Sequence, residues 1–111
     1  MDYETILCVA NSYKRKYYLN PEFKHLPEQV KELLQAKCVL FTEEAGGILE
    51  ILFDGDGELL LRTSSEEGDF AYDEIGAGLM VRRLQSEESE LFHELALFYK
   101  VVFLGEEADD E

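Results

Sequence analysis

The chain has 111 residues, 46% of them hydrophobic, and a formal net charge of −15 from 25 acids against 10 bases. That length suits one domain with one core, and that hydrophobic share is too high for a disordered chain. A field of this sign repels phosphate backbones and anionic lipid, so nucleic acid and membrane surfaces are excluded as expected partners, while basic proteins and cations are favoured.

The first strand is predicted over residues 5–10 (Thr-Ile-Leu-Cys-Val-Ala), and Asn11-Ser12 is a turn signal. A second strand follows over 13–19, carrying Tyr13, Lys16 and Tyr17 among its aromatic and basic residues. Asn20-Pro21 breaks it, and Pro27 fits the first turn of a helix, where its missing N–H costs nothing. Val30, Leu33, Leu34, Cys38 and Phe41 recur at three- and four-residue steps, giving an amphipathic helix over about 27–44 that Gly46-Gly47 ends.

Strands over 48–53 and 58–63 come next, joined through Asp54-Gly55-Asp56-Gly57. That tetrad suits a type I turn followed by a glycine at positive φ, a three-residue loop with a bulge. With Asp54 opposite Glu58, Glu50 lies opposite Arg62, and Leu49, Ile51, Phe53, Leu59 and Leu61 share one face. Leu52 and Leu60 predict that the other face is partly covered as well.

A loop over 64–69 leads to a short helix beginning near Asp73-Glu74, weakened by Gly76 and Gly78. Ser86-Glu87-Glu88 predicts a fresh N-cap, and a broad apolar stripe from Leu91 carries the last helix to about 104. The order is ββαββαα. Two hairpins without βαβ alternation predict an α+β fold, an antiparallel sheet with about three helices packed on it. Residues 1–104 form the expected domain, and the acidic stretch 105–111 an expected disordered tail.

No catalytic constellation emerges. His25 and His93 lack a third partner at metal-ligand spacing, and both read as surface residues. Cys8 and Cys38 stand in apolar surroundings and read as buried free thiols. Asp54-Gly55-Asp56 resembles the opening of a calcium loop, but Glu58 and Leu59 occupy its fifth and sixth positions, so the pattern fails. Gly76-Ala77-Gly78 lacks the strand and third glycine of a dinucleotide site, and close helix packing accounts for it better. No metal and no cofactor are expected. The absence of a basic leader or a long apolar run predicts a cytoplasmic protein.

Several stretches together carry a family resemblance: Asn11-Ser12-Tyr13 with Lys16-Tyr17-Tyr18, Thr42-Glu43-Glu44-Ala45-Gly46-Gly47, Glu67-Gly68-Asp69-Phe70, Asp73-Glu74-Ile75-Gly76, and Tyr99-Lys100-Val101 leading to Phe103-Leu104-Gly105. The chain resembles a family of uncharacterised short acidic proteins from anaerobic Gram-positive bacteria. The resemblance implies a bacterial cytosolic origin and carries over no activity.

The expectation is therefore a non-enzymatic protein-interaction or regulatory module. The alternative is a small-ligand or cation-binding domain using the acidic ends of the second hairpin. Mimicry of a nucleic-acid surface ranks last. Candidate surface residues are the acids Glu43, Glu44, Glu67, Asp69, Asp73 and Glu74, with Tyr13, Lys16 and Tyr17 on the one basic, aromatic patch. A polar strand face is the simplest account of that patch; its docking on the acidic surface of another copy, as a homodimer, is the second. Charge is uneven along the chain: residues 1–26 carry net +1, residues 43–74 carry −10 and the last seven −5.

Overall fold

The structure, a computed structural model, describes residues 3–106. Four strands form one antiparallel sheet: β1 (Thr5–Asn11), β2 (Lys16–Leu19), β3 (Ile48–Phe53) and β4 (Leu59–Ser64), in spatial order β2-β1-β3-β4. Three helices complete the fold: α1 (Glu28–Ala45), α2 (Glu74–Glu87) and α3 (Ser89–Val102). The α+β class and the order ββαββαα are those expected. The two hairpins join edge to edge through β1 and β3, so β2 and β4 are the outer strands.

Charge set the register of the second hairpin. Glu50 pairs with Arg62, and the guanidinium reaches Glu50 at 2.9 Å and Glu4 at 3.1 Å. The loop closes as its residues predict. The Gly57 N–H bonds the Asp54 carbonyl, the Asp54 carboxylate accepts from the N–H groups of Asp56 and Glu58, and Gly57 takes φ +86°.

The first hairpin departs from expectation. β2 begins at Lys16, not at Tyr13, because the Asn11 side chain accepts from the backbone N–H groups of Tyr13 (3.0 Å) and Lys14 (3.2 Å) and bends the chain early. Arg15 completes that turn at φ +52°, and the ladder resumes with Asn11 opposite Lys16. A β-bulge in β1, which periodicity did not reveal, places Leu7 as an extra residue between the pairs Ile6–Leu52 and Cys8–Ile51. Leu7 and Cys8 are both fully buried.

Cys8, Ala10, Leu49, Ile51 and Phe53 meet Leu34, Cys38 and Phe41 of α1, Leu84 of α2 and Leu95 of α3 in one core. At one end Phe23, from a 3-10 turn over Pro21–Phe23, stacks with Phe53 (5.8 Å between centroids) and Phe103 (4.8 Å), and Phe53 stacks on Tyr99 at 4.2 Å. The Tyr99 hydroxyl shares a 2.7 Å hydrogen bond with Thr5. Cys8 and Cys38 are free and buried, with their sulfurs 3.9 Å apart.

The opposite sheet face carries no helix among the described residues. Leu52 is buried there between its register partners Ile6 and Leu60, yet Leu60 remains 41% and Tyr18 51% exposed. The covering expected for that face is thus supplied within the sheet and only around Leu52.

The boundary between the last two helices also moves. Ser86 lies inside α2, because intrahelical bonding continues until the Glu88 N–H reaches the Leu84 carbonyl at 2.9 Å. α3 then starts at Ser89 without a side-chain cap and ends at Val102 rather than 104. Pro27 stands just ahead of α1 at its N-cap, one place earlier than expected. Of the stretch 105–111 predicted as a tail, 107–111 lie outside the described residues.

Candidate functional site

Three chain segments converge at the end of the sheet where α1 terminates. The Ser12 N–H bonds the Gly47 carbonyl at 3.0 Å, tying the β1–β2 turn to the link between α1 and β3. The Tyr13 hydroxyl donates to Asp69 at 2.5 Å and accepts from the Glu66 N–H at 3.1 Å, tying the same turn to the loop after β4. That bond to the Asp69 carboxylate, chiefly, holds the Tyr13 hydroxyl above its ordinary pKa. Gly47 lies at the crossing with φ +71°, and a Cβ there would stand 2.5 Å from the Ser64 carbonyl and 2.6 Å from the Tyr72 ring. Only glycine lets the three segments close on each other.

A cleft of about 770 Å³ opens between the first hairpin and α1. On the hairpin side stand Ser12, Arg15, Lys16 and Tyr17; on the helix side, Gln35, Val39, Thr42 and Glu43. Arg15 and Lys16 form no ion pair with any described residue. Glu43 lies in the last turn of α1, which holds no basic residue. The Tyr17 hydroxyl is buried, turned toward Cys8, and completes no hydrogen bond.

A second, shallower surface surrounds the loop between β4 and α2. Asp69, Asp73 and Glu74 line it together with Phe70, Tyr72 and Ile75. Phe70 is 98% and Ile75 79% exposed. The loop around them is hydrogen-bonded: the Asp69 N–H bonds the Glu66 carbonyl, the Phe70 N–H the Gly68 carbonyl, and the Ala71 N–H the Asp69 carboxylate. Asp73 caps α2 by accepting from the Gly76 N–H at 3.0 Å, as the acids at that position predicted.

The predicted residues therefore divide. Lys16, Tyr17 and Glu43 share the cleft, and Asp69, Asp73 and Glu74 share the loop surface, with Tyr13 bridging the two. Glu44 is separated from Glu43 by one helical step and faces a small groove of about 110 Å³ against α2, beside Lys37 and Arg83. Glu67 is exposed and lines none of these surfaces. The basic patch does not lie on a strand face, since Tyr13 and Arg15 belong to the turn. Gln35, Phe70 and Ile75 were missed. An aromatic residue within an acidic, glycine-containing loop was the available signal for Phe70.

The close packing proposed for Gly76 and Gly78 is not what the structure shows. A Cβ on Gly76 would collide with the capping carboxylate of Asp73, and one on Gly78 would meet open space. Both histidines are exposed, as expected. Among the described residues no three of His, Cys, Asp and Glu gather as a metal set, and no helix is long and apolar enough to cross a membrane.

The model of a family described as "Family of unknown function (DUF6145)" matches residues 4–107. The chain belongs to that family. The match includes both hairpins and all three helices, so the cleft and the Phe70 loop are parts of the DUF6145 domain itself. No curated protein and no solved structure matches the chain.

Proposed function

We propose that this DUF6145 domain is a non-enzymatic protein-interaction module of the cytoplasm, and that it engages a basic partner through the loop between β4 and α2. The exposure of Phe70 carries the proposal. A phenylalanine 98% exposed on a hydrogen-bonded loop is an unsatisfied apolar anchor, and Ile75 extends it. Anchors of this type dominate binding energy once a partner excludes water around them. Asp69, Asp73 and Glu74 surround the anchor, and the chain's net charge of −15 steers basic surfaces toward it.

A second copy fits this surface less well. It brings another fifteen formal negative charges, and Tyr13 of the patch read as a second possibility for docking on a neighbouring copy is already bonded to Asp69 of its own chain.

The test places a photo-crosslinking residue at position 70 in cells of the source organism, with position 97 on α3 as control. A basic protein captured at 70 and not at 97, less efficiently at higher salt, is expected. Phe70→Ala should weaken the complex by about 2 kcal/mol or more while shifting stability by no more than about 0.5 kcal/mol. Equal capture at both positions, or capture of the chain by itself alone, counts against the proposal.

A further inference from the structure

We infer that the cleft between the first hairpin and α1 binds a small zwitterion of the amino-acid or short-peptide class. This inference is independent of the Phe70 surface, because the two share no lining residue.

The two walls of the cleft carry opposite charge. On the hairpin wall, Arg15 and Lys16 are two cations without an ionic partner among the described residues. Arg15 is moreover held at φ +52°, a conformation that costs a non-glycine residue about 1 kcal/mol. On the helix wall, Glu43 lies where the C-terminal end of α1 already presents partial negative charge. Acids are disfavoured at that end of a helix, where basic residues normally compensate, and α1 has none there.

A ligand carrying one charge meets one attractive wall and one repulsive wall. A simple anion additionally faces the field of a chain with net charge −15. A zwitterion satisfies both walls, with its carboxylate toward Arg15 and Lys16 and its ammonium toward Glu43. Between them, the Ser12 hydroxyl and the Gln35 amide offer neutral hydrogen bonds, and the Tyr17 ring and Val39 offer apolar surface for a side chain. At about 770 Å³ the cleft falls within the range of small-molecule sites, and it has room for more than a single residue.

The experiment is a titration of the 15N-labelled full chain with glycine, phenylalanine, lysine, glutamate and the dipeptide Gly-Phe, followed by amide chemical shifts. Each probe is repeated as its N-acetyl form, which lacks the ammonium, and as its amide, which lacks the carboxylate. At least one free zwitterion should shift the amides of residues 11–17 and 39–46 saturably, and both blocked forms should bind about tenfold more weakly or worse. Arg15→Ala with Lys16→Ala should abolish discrimination between acid and amide. Glu43→Gln should abolish discrimination between free and acetylated amine. A folded double variant that binds unchanged, blocked forms that bind as well as free ones, or no saturable shift at millimolar probe would each overturn the inference. Shifts confined to residues 65–75 would do so as well.

Discussion

Tyr17 shows what a single buried hydroxyl does to the stability of this domain. Burial first, and then the proximity of Cys8, hold the phenol above its ordinary pKa of 10.0. Cys8 and Cys38 share a hydrogen bond that holds the Cys8 thiol below and the Cys38 thiol above the ordinary 9.0, so their effects on stability oppose each other. The Tyr17 phenol therefore keeps its proton in the folded state at a pH where the unfolded chain loses it. Stability is unaffected by this phenol below about pH 10 and falls as pH rises beyond it. Urea unfolding between about pH 8 and pH 11 should show that decline, and Tyr17→Phe should remove the component beginning near pH 10. At neutral pH the same substitution should cost less than about 1 kcal/mol, since the one polar neighbour of the hydroxyl is the Cys8 sulfur, a weak hydrogen-bond partner. An unchanged alkaline slope in the variant would show that Tyr17 is not responsible. The burial of both cysteines was legible in their apolar neighbours. The unpartnered phenol was not, because it depends on where β2 meets α1.

At the scale of elements, periodicity and charge located most of the fold. The expected helix over 27–44 is α1 to within one residue at each end, and the Glu50–Arg62 pair fixed the second hairpin's register. What stayed hidden arises from competition between neighbours. Asn11 captures two backbone N–H groups and shortens β2, and the continuing bonds of α2 override the cap signal of Ser86. The start of α2 carries its own test of such competition. Asp73→Ala should cost about 1 kcal/mol by removing the cap. Gly76→Ala should be unfavourable alone, because its methyl group would crowd the Asp73 carboxylate. Combined with Asp73→Ala, it should recover up to about 1 kcal/mol of helix propensity. The two changes are thus expected to be strongly non-additive in a double-mutant cycle of unfolding free energies, and additivity would show that Asp73 does not crowd position 76.

For the whole molecule, composition gave the magnitude of the charge, and the fold determines its distribution. Tyr13, Arg15 and Lys16 are local in sequence, yet the fold bonds Tyr13 to Glu66 and Asp69 and sets Arg15 and Lys16 across the cleft from Glu43. Opposite charges thus share one end of the molecule, and the excess acids elsewhere repel one another. The described ion pairs are surface pairs, which contribute little and are themselves screened by salt. Raising NaCl from about 0.05 M to about 0.5 M should therefore raise the melting temperature, as screening relieves repulsion among the excess acids. A melting temperature that falls with salt would mean that attractive pairs outweigh the net charge.

The extra residue at Leu7 divides β1 into two stretches indexed independently against β3. Beyond it, Cys8 to Asn11 are locked to Ile51 to Ile48; before it, Thr5 and Ile6 follow a numbering displaced by one. The central strand can therefore lose that residue without reversing which way any other side chain points, whereas a deletion elsewhere in the strand turns inward residues out. Length variation within β1 is compatible with an unchanged cleft and an unchanged Phe70 loop at this one position, at the loss of one buried leucine.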